Sequence, residues 1–361
     1  MDFTLSAEQL MIKDSVTRFT AEPPKGDPWP TFAELGWLAL GAPEDLGGFG
    51  GPLETMILME AFGKGLVTAP YVAQVVLAGS ILRLAERTDL LEALVDGNAR
   101  FAVAYEEPHA RHDPARVATI AMCQGDGYVL GGSKVRVLGA SSAASLIVSA
   151  RLDTHDGEIG LFSVPASAPG VEIHELASED GHDVAAVGLD NVRVTAIDYL
   201  TANGLPILEH ALDIATAALC AEAVGIMSVL HDVTLDYLKH RTQFGVAIGS
   251  FQALQHRMAE MFTELELARS MSYVAAMTVA DGGEGRTRAI SGAKIQIARS
   301  GRFIGQNAIQ LHGAIGMTEE YKIGHYFKRM TTLERLLGDS DYHLARFVAS
   351  ERTPQRTPVT A

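Results

Sequence analysis

Two cysteines, Cys123 and Cys220, are all that the 361 residues contain, and no CxxC joins them. That scarcity argues against a disulfide framework or a thiolate zinc site and suits a reducing, cytoplasmic setting. No run reaches about 18 uninterrupted apolar residues, so neither a membrane span nor a membrane partner is expected. The opening MDFTLSAEQL carries acids early and lacks the apolar centre of a secretory signal. Basic residues are also few. The 29 Lys and Arg face 44 Asp and Glu, a net charge of −15, which leaves no basic face for nucleic acid. A phosphate-bearing cofactor needs only one or two well-placed Arg or Lys and stays open. GxGxxG after a strand, GxSxG and HExxH are all missing, which removes the simplest routes to a dinucleotide loop, a serine nucleophile and a zinc protease.

What is present is long enough for two or three domains. Ser6 and Gln9 stand at capping-box spacing, and Leu5, Ile12, Val16 and Phe19 share one helical face. After a Pro-rich loop, TFAELGWLAL, LETMILMEAFG, VAQVVLAGSILRLA and LLEALV predict further helices, so residues 1–98 form a helical domain. From Phe101 the chain turns to short β-branched runs: FAVAYEE, ATIAM, GYVLGG, KVRVL, SLIVSAR, IGLFSV and VGLDNVRVT. Their spacing predicts a β-barrel or sandwich over 99–203. Long helical periods return over 204–350 and predict an antiparallel four-helix bundle, with 351–361 a frayed tail. The fold class is therefore α+β.

Three stretches could carry chemistry. In RTQFGVAIGSFQ, Arg241 could fork onto a phosphate and Phe244 could pack on a flat ligand; Arg in a last turn with Gly beyond it is also ordinary helix-end chemistry. In QLHGAIG, Gly313 and Gly316 permit a close approach and the Gln310 amide can donate or accept, although a helix-ending loop explains the same glycines. In EEPHARHD, Glu106, Glu107, His109, His112 and Asp113 offer metal-ligand chemistry, but Pro108 prevents regular presentation. A solvated loop is the default expectation there, with no metal.

Taken together, ELGWLALGAPEDLGGFGG, RTQFG with FQALQHRMAEM, and QLHGAIGMTEEYKIGHYFKR resemble the acyl-CoA dehydrogenase family over nearly the whole chain. The likeness is strongest to the small subunits of heteromeric members, such as the pimeloyl-CoA or steroid side-chain enzymes, in IGHYFKR followed by GDSDYHLARF. It implies an all-α N-terminal domain, a central β domain, a C-terminal four-helix bundle and FAD at a subunit interface. The activity implied is α,β-dehydrogenation of an acyl-CoA, with electron-transfer flavoprotein or a similar acceptor.

The family's base is a Glu directly before a Gly-Thr pair. Aligned on Gly338, that position is Leu337; the alternative place, on the long helix, falls on Ala215. Asp339 is expected to be an N-cap and Asp341 to sit in the next helix's first turn, while Glu334 is expected to face solvent or the neighbours of Arg335. Glu222 shares a face with Ala215 but lies on the order of 10 Å away. The flavin-side loop keeps Glu107, Pro108 and Asp113 but has Arg111 and His112 where Gly-Ser is usual, SKVRVLGA has no tryptophan, and the CoA-side Asp-x-x-Arg pair reads Asp213 to Thr216. Arg241, Phe244, Gln252, Gln310 and Gly313 match the half of the FAD site that reaches across to a neighbour, with Ala314 replacing a second glycine. The resemblance thus implies a chain with no catalytic Glu that completes the FAD site of a large partner subunit, expected as an α2β2 assembly. Two alternatives stand beside it: a self-sufficient dehydrogenase using Asp339 or Glu222, and a flavin-free scaffold.

Overall fold

The structure, a computed structural model, describes residues 4–153, 157–283 and 285–352. Ser6 caps the first helix, α1 (Ala7–Ala21): its Oγ accepts from the Gln9 amide at 3.2 Å, and Gln9 Oε1 accepts from the Ser6 amide at 3.0 Å. Val16 and Phe19 point into the core, with Leu5 and Ile12 packed at its edge. The run TFAELGWLAL divides rather than forming one helix. Helix α2 (Trp29–Glu34) stops before Gly36, whose φ of 72° is left-handed, and a 3-10 turn over Trp37–Ala39 follows. Helix α3 (Pro52–Gly65) matches its expected run, whereas VAQVVLAGSILRLA begins as a π-helical turn (Val72–Leu77) that passes into α4 (Ala78–Leu84). Helix α5 (Thr88–Val95) completes the set. Phe19, Phe32, Trp37, Phe62 and Tyr71 interlock with centroids 5.2 to 6.0 Å apart, each good pair adding roughly 0.5–1.5 kcal/mol beyond area burial.

The strands are β1 (Phe101–Ala104), β2 (Ile120–Gln124), β3 (Gly127–Leu138), β4 (Ser145–Leu152), β5 (Ile159–Pro165), β6 (Val171–Glu175), β7 (Val184–Thr195) and β8 (Tyr199–Thr201). They form one sheet in the order β6-β7-β3-β2-β4-β5-β8, with β1 pairing parallel to β4. GYVLGG and KVRVL are a single strand, β3, broken by register shifts at Leu130/Gly132 and Lys134/Val137. The second shift coincides with a positive φ of 51° at Arg136 and turns that side chain toward the bundle.

The C-terminal helices are α6 (Gly204–His240), α7 (Gln252–Asp281), α8 (Arg286–His312), α9 (Ile323–Arg335) and α10 (Ser340–Arg352), with a small hairpin of β9 (Thr242–Gln243) and β10 (Val246–Ala247) after α6. Of the tail placed at 351–361, the first two positions complete α10 and the rest lies outside the described residues. An 18-residue stretch of α6, with a mean hydropathy of 1.7, is apolar enough to cross a membrane, which the count of uninterrupted apolar residues missed; 89% of it is buried inside the protein, as the central helix of a bundle would be.

The apolar contacts divide differently from the chain. One core runs from Val16 and Phe62 through Leu77 and Phe101 to Leu230 and Ile297, so α1–α5 and the bundle share it. The sheet keeps a separate core around Leu130, Val148, Phe162 and Val187. Between sheet and bundle lies the principal groove.

Candidate functional site

Three helix ends meet at one corner of the bundle. Tyr237, near the end of α6, stacks on His312 at the end of α8 with centroids 4.5 Å apart and planes at 28°. Arg257 of α7 donates to Asn307 Oδ1 of α8 at 3.3 Å. Here stand all six residues singled out for cofactor binding. Arg241 closes α6, Phe244 follows at a φ of 54°, Gln252 opens α7, and Gln310, Gly313 and Ala314 end α8. All six are exposed, and Phe244 is 90% so. Among the described residues the Arg241 guanidinium has no hydrogen-bond or acid partner. A Cβ at Gly313 would meet nothing within 4 Å, so the corner is open. An unpartnered guanidinium, a free aromatic face and an open glycine suit a phosphate-bearing aromatic cofactor such as FAD, held from outside the chain.

The centre, at the position expected for the base, is closed. Leu337 holds a φ of 56° with only 9% of its surface exposed. Gly338 follows at a φ of 109°, and a Cβ there would lie 2.3 Å from the Tyr342 ring, so only glycine fits. Lys294 donates to the carbonyls of Leu333 and Leu336, and His343 Nε2 donates to the Leu337 carbonyl at 3.1 Å. Burial pushes Lys294 down to about 8. Burial, with the charges of Lys294 and Arg346 adding to it, pushes His343 down to about 3. The cavity lined by Ala73, Leu77, Tyr105 and Leu337 holds about 20 Å³, room for roughly one water.

The nearby acids differ in how far they are engaged. Asp339 Oδ1 accepts from the Tyr342 amide at 2.9 Å, the N-cap its position predicts for α10, and Asp341 lies exposed in that helix's first turn. Glu334 does not face solvent alone: it pairs with Arg302 of α8. Glu222 is no free carboxylate either, for Arg329 donates to both its oxygens, at 2.6 and 3.0 Å, and reaches Asp180 Oδ2 at 2.9 Å. Against the upward push of burial, His182, Ser178 and Arg329 hold the Asp180 carboxyl well below the carboxylate range. The triad ties α6 and α9 to the loop between β6 and β7. Ala215 is fully buried, and Asp213 beside it is paired inward with Arg286 at 3.1 Å and Arg346 at 2.9 Å.

The loop EEPHARHD departs from the solvated loop expected of it. Glu107 is buried, accepting from Lys134 at 2.7 Å, Thr119 Oγ1 at 2.7 Å and the Ala118 amide at 2.7 Å. Burial opposes its charge, but Lys134 foremost keeps the Glu107 carboxyl below its ordinary value; burial in turn pushes Lys134 down to about 8. Glu106 is buried between Arg136 and His112, with His112 Nδ1 at 2.9 Å. Arg111 and His112 adopt φ of 50° and 68°, a glycine-like path without glycine. No group of three or more His, Cys, Asp or Glu could hold a metal among the described residues. His112, Arg136, Arg329 and Asp339 instead line the groove between sheet and bundle, about 1170 Å³ in volume. Sequence reasoning missed Arg136 and Arg329, because a bulge re-aims the first and the partner of the second lies 107 residues away.

Comparison with known proteins gives a consistent picture. Profiles described as acyl-CoA dehydrogenase match in three parts: the N-terminal domain at residues 6–89, the middle domain at 102–192 and the C-terminal domain at 202–350. The protein named probable acyl-CoA dehydrogenase YngJ of Bacillus subtilis is 30% identical over 98% of this chain and 99% of its own. Among solved structures, a chain of the Tcur3481–Tcur3483 steroid ACAD is 30% identical, with a TM-score of 0.85 over 96% of this chain and 98% of that one. A chain of the ChsE4–ChsE5 complex from Mycobacterium tuberculosis is 25% identical, with a TM-score of 0.87 over 98% and 100%.

Proposed function

The chain belongs to the acyl-CoA dehydrogenase family of FAD-dependent oxidoreductases, and from that premise we propose that it works as the non-basic subunit of a heteromer, completing the FAD site of a partner that carries the catalytic Glu. In the reaction proposed, a carboxylate of the partner would take the α-proton of an acyl-CoA, and bound FAD would supply the acceptor for the β-hydride, giving the 2-enoyl-CoA, with an electron-transfer flavoprotein or similar carrier as the onward acceptor. On this reading Arg241 would hold the pyrophosphate of the partner's FAD, Phe244 would pack on a flat part of it, and Gln252 and Gln310 would supply amide hydrogen bonds. Gly313 leaves room for the approach, and Ala314 adds one methyl beside it.

The observation that carries the proposal is the contrast at Leu337. A base must reach the substrate and hold a proton, and here a buried leucine beside a cavity of about 20 Å³ stands in its position. Glu222 is held by Arg329, and Asp339 caps α10 through Oδ1, its Oδ2 standing 4.0 Å from His112 Nε2. Losing a positioned base costs about 10²–10⁴ in rate, so the chain alone should turn over acyl-CoA slowly or not at all. The likeness to chains of two-component complexes, one described as a steroid ACAD, supports a partner subunit and a bulky acyl group, and the proposed assembly is α2β2. Cytoplasmic residence fits two free cysteines, one exposed and one buried, and fractionation of the native host would check it.

The test is to purify the chain alone and co-expressed with a candidate large subunit, then measure the flavin spectrum and the flavin-to-protein ratio. Colour only in the complex, with a single FAD per pair, supports the donated half-site. A yellow, fully loaded homomer that dehydrogenates acyl-CoA overturns it.

A further inference from the structure

A second cavity, of about 390 Å³, lies on the far side of α4 and α6 from Leu337. The faces differ clearly: Ala73 and Leu77 border the small cavity beside Leu337, whereas Val75, Val76, Gly79 and Ser80 border this one. On α6, His210 and Ile214 face it while Ala215 is turned to the core. Its volume falls within the roughly 300–1,000 Å³ of small-molecule sites. Leu38, Leu91, Leu94 and Ile214 join the two valines in an apolar wall.

Its polar groups share one character. Thr55, Ser80, Arg83 and His210 all line the cavity, and none of their side chains makes a hydrogen bond or ion pair among the described residues. Among the described residues no acid lines it, in a chain where acids outnumber basic residues 44 to 29. Arg83 is solvent-exposed, and the desolvation it does undergo pushes it below its ordinary value, with no acid beside it among the described residues to offset that. Burial first, then the positive charges of Arg286 and Arg83, push His210 down. Buried Ser80, half-buried Thr55 and His210 and exposed Arg83, none with a partner in the chain, border an apolar chamber and suit an amphipathic anion.

Gly79 is the second observation. It sits inside α4, where glycine weakens a helix, and a Cβ there would meet nothing within 4 Å. Neither a turn nor close packing requires glycine; what its bare face does is leave the chamber open. The π-helical turn just before it shapes the same wall, and such turns recur at functional sites.

We propose that this chamber binds a free medium-chain aliphatic carboxylate, its tail against the leucine and valine walls and its carboxylate on the Arg83 guanidinium. The site is separate from the proposed FAD corner and needs no partner subunit. Decanoate, kept below its micelle concentration, would be titrated calorimetrically into the full chain, with decyltrimethylammonium as the opposite-charge control. Decanoate should bind saturably and the cation should not. Arg83→Gln should weaken decanoate at least about tenfold, the loss expected for a charge-assisted hydrogen bond. Gly79→Phe, which fills the chamber and is the better helix residue, should abolish binding with the melting curve retained. Binding of the cation as tight as that of decanoate, undiminished decanoate binding in Gly79→Phe, or no saturable heat from the wild-type chain would each overturn the proposal.

Discussion

The corner at Arg241 and the centre at Leu337 belong to the same bundle and treat their polar groups in opposite ways. At the corner, Arg241, Gln252 and Gln310 are exposed, with the guanidinium unpartnered and Phe244 bare. Around the centre, Glu222, Arg329, Asp180, Asp213, Lys294 and His343 are all buried or nearly so, and each is bound to another group of the chain. A charge left bare costs little in water and can be given to a ligand; a charge removed from water must be answered within the fold. The difference therefore separates what this chain offers from what it has closed.

The largest effect should come from the centre. Arg329→Met strands Glu222 and Asp180 without their cation, and breaking a buried pair from one side costs about 3–5 kcal/mol; chemical denaturation should show it. If that variant instead kept its stability and gained turnover, the centre would be a blocked active site and not a structural one. Next comes Arg241→Ala, which should weaken flavin retention by the assembled complex roughly ten- to a hundredfold with the fold's midpoint unchanged. Unchanged flavin content in that complex would favour the flavin-free scaffold. His343 then sharpens the contrast by pH. Its folded value near 3 lies below the unfolded one, so the unfolded chain binds more protons between these values and stability falls on acidification below about pH 6.5, by up to about 1.4 kcal/mol per pH unit. His343→Gln should flatten that slope in melts taken at pH 7 and pH 5. The smallest effect belongs to Asp339: the Ala variant should lose about 1 kcal/mol as a missing cap and the Asn variant almost nothing. A sharp loss of turnover in Asp339→Asn, with stability retained, would make it a base after all.

Local rules reached some of this and not the rest. Period and caps place α1, α6, α7 and α8, because a repeating apolar face is written into consecutive residues. Strand β6, VEIHE, escaped notice since two of its five residues are glutamates, and β8 is only three residues long. TFAELGWLAL was read through Gly36, where one left-handed residue divides it. At the site, the exposed corner was legible through its resemblance to a known pattern, while Asp339 was legible from cap chemistry alone. The buried pairs were not. Glu106 and Glu107 look like solvent-facing charges in a loop until Arg136, His112 and Lys134 close over them, and nothing near Glu222 announces Arg329. Charge partners far apart in sequence leave no periodic trace.

The core shared by α1–α5 and the bundle also sets a schedule for the chain during synthesis. Val95 ends the first helical block and Gly204 begins the helix it packs on, with the whole sheet made in between. At about 5–20 residues per second, translation of that interval takes roughly 5–20 s. For that time Phe62, Leu77 and Leu94 have no bundle to bury them, although the sheet can already close around its own core. The nascent chain thus makes one apolar face first and covers it last, which makes truncated products of this gene the ones a cell must shelter or destroy.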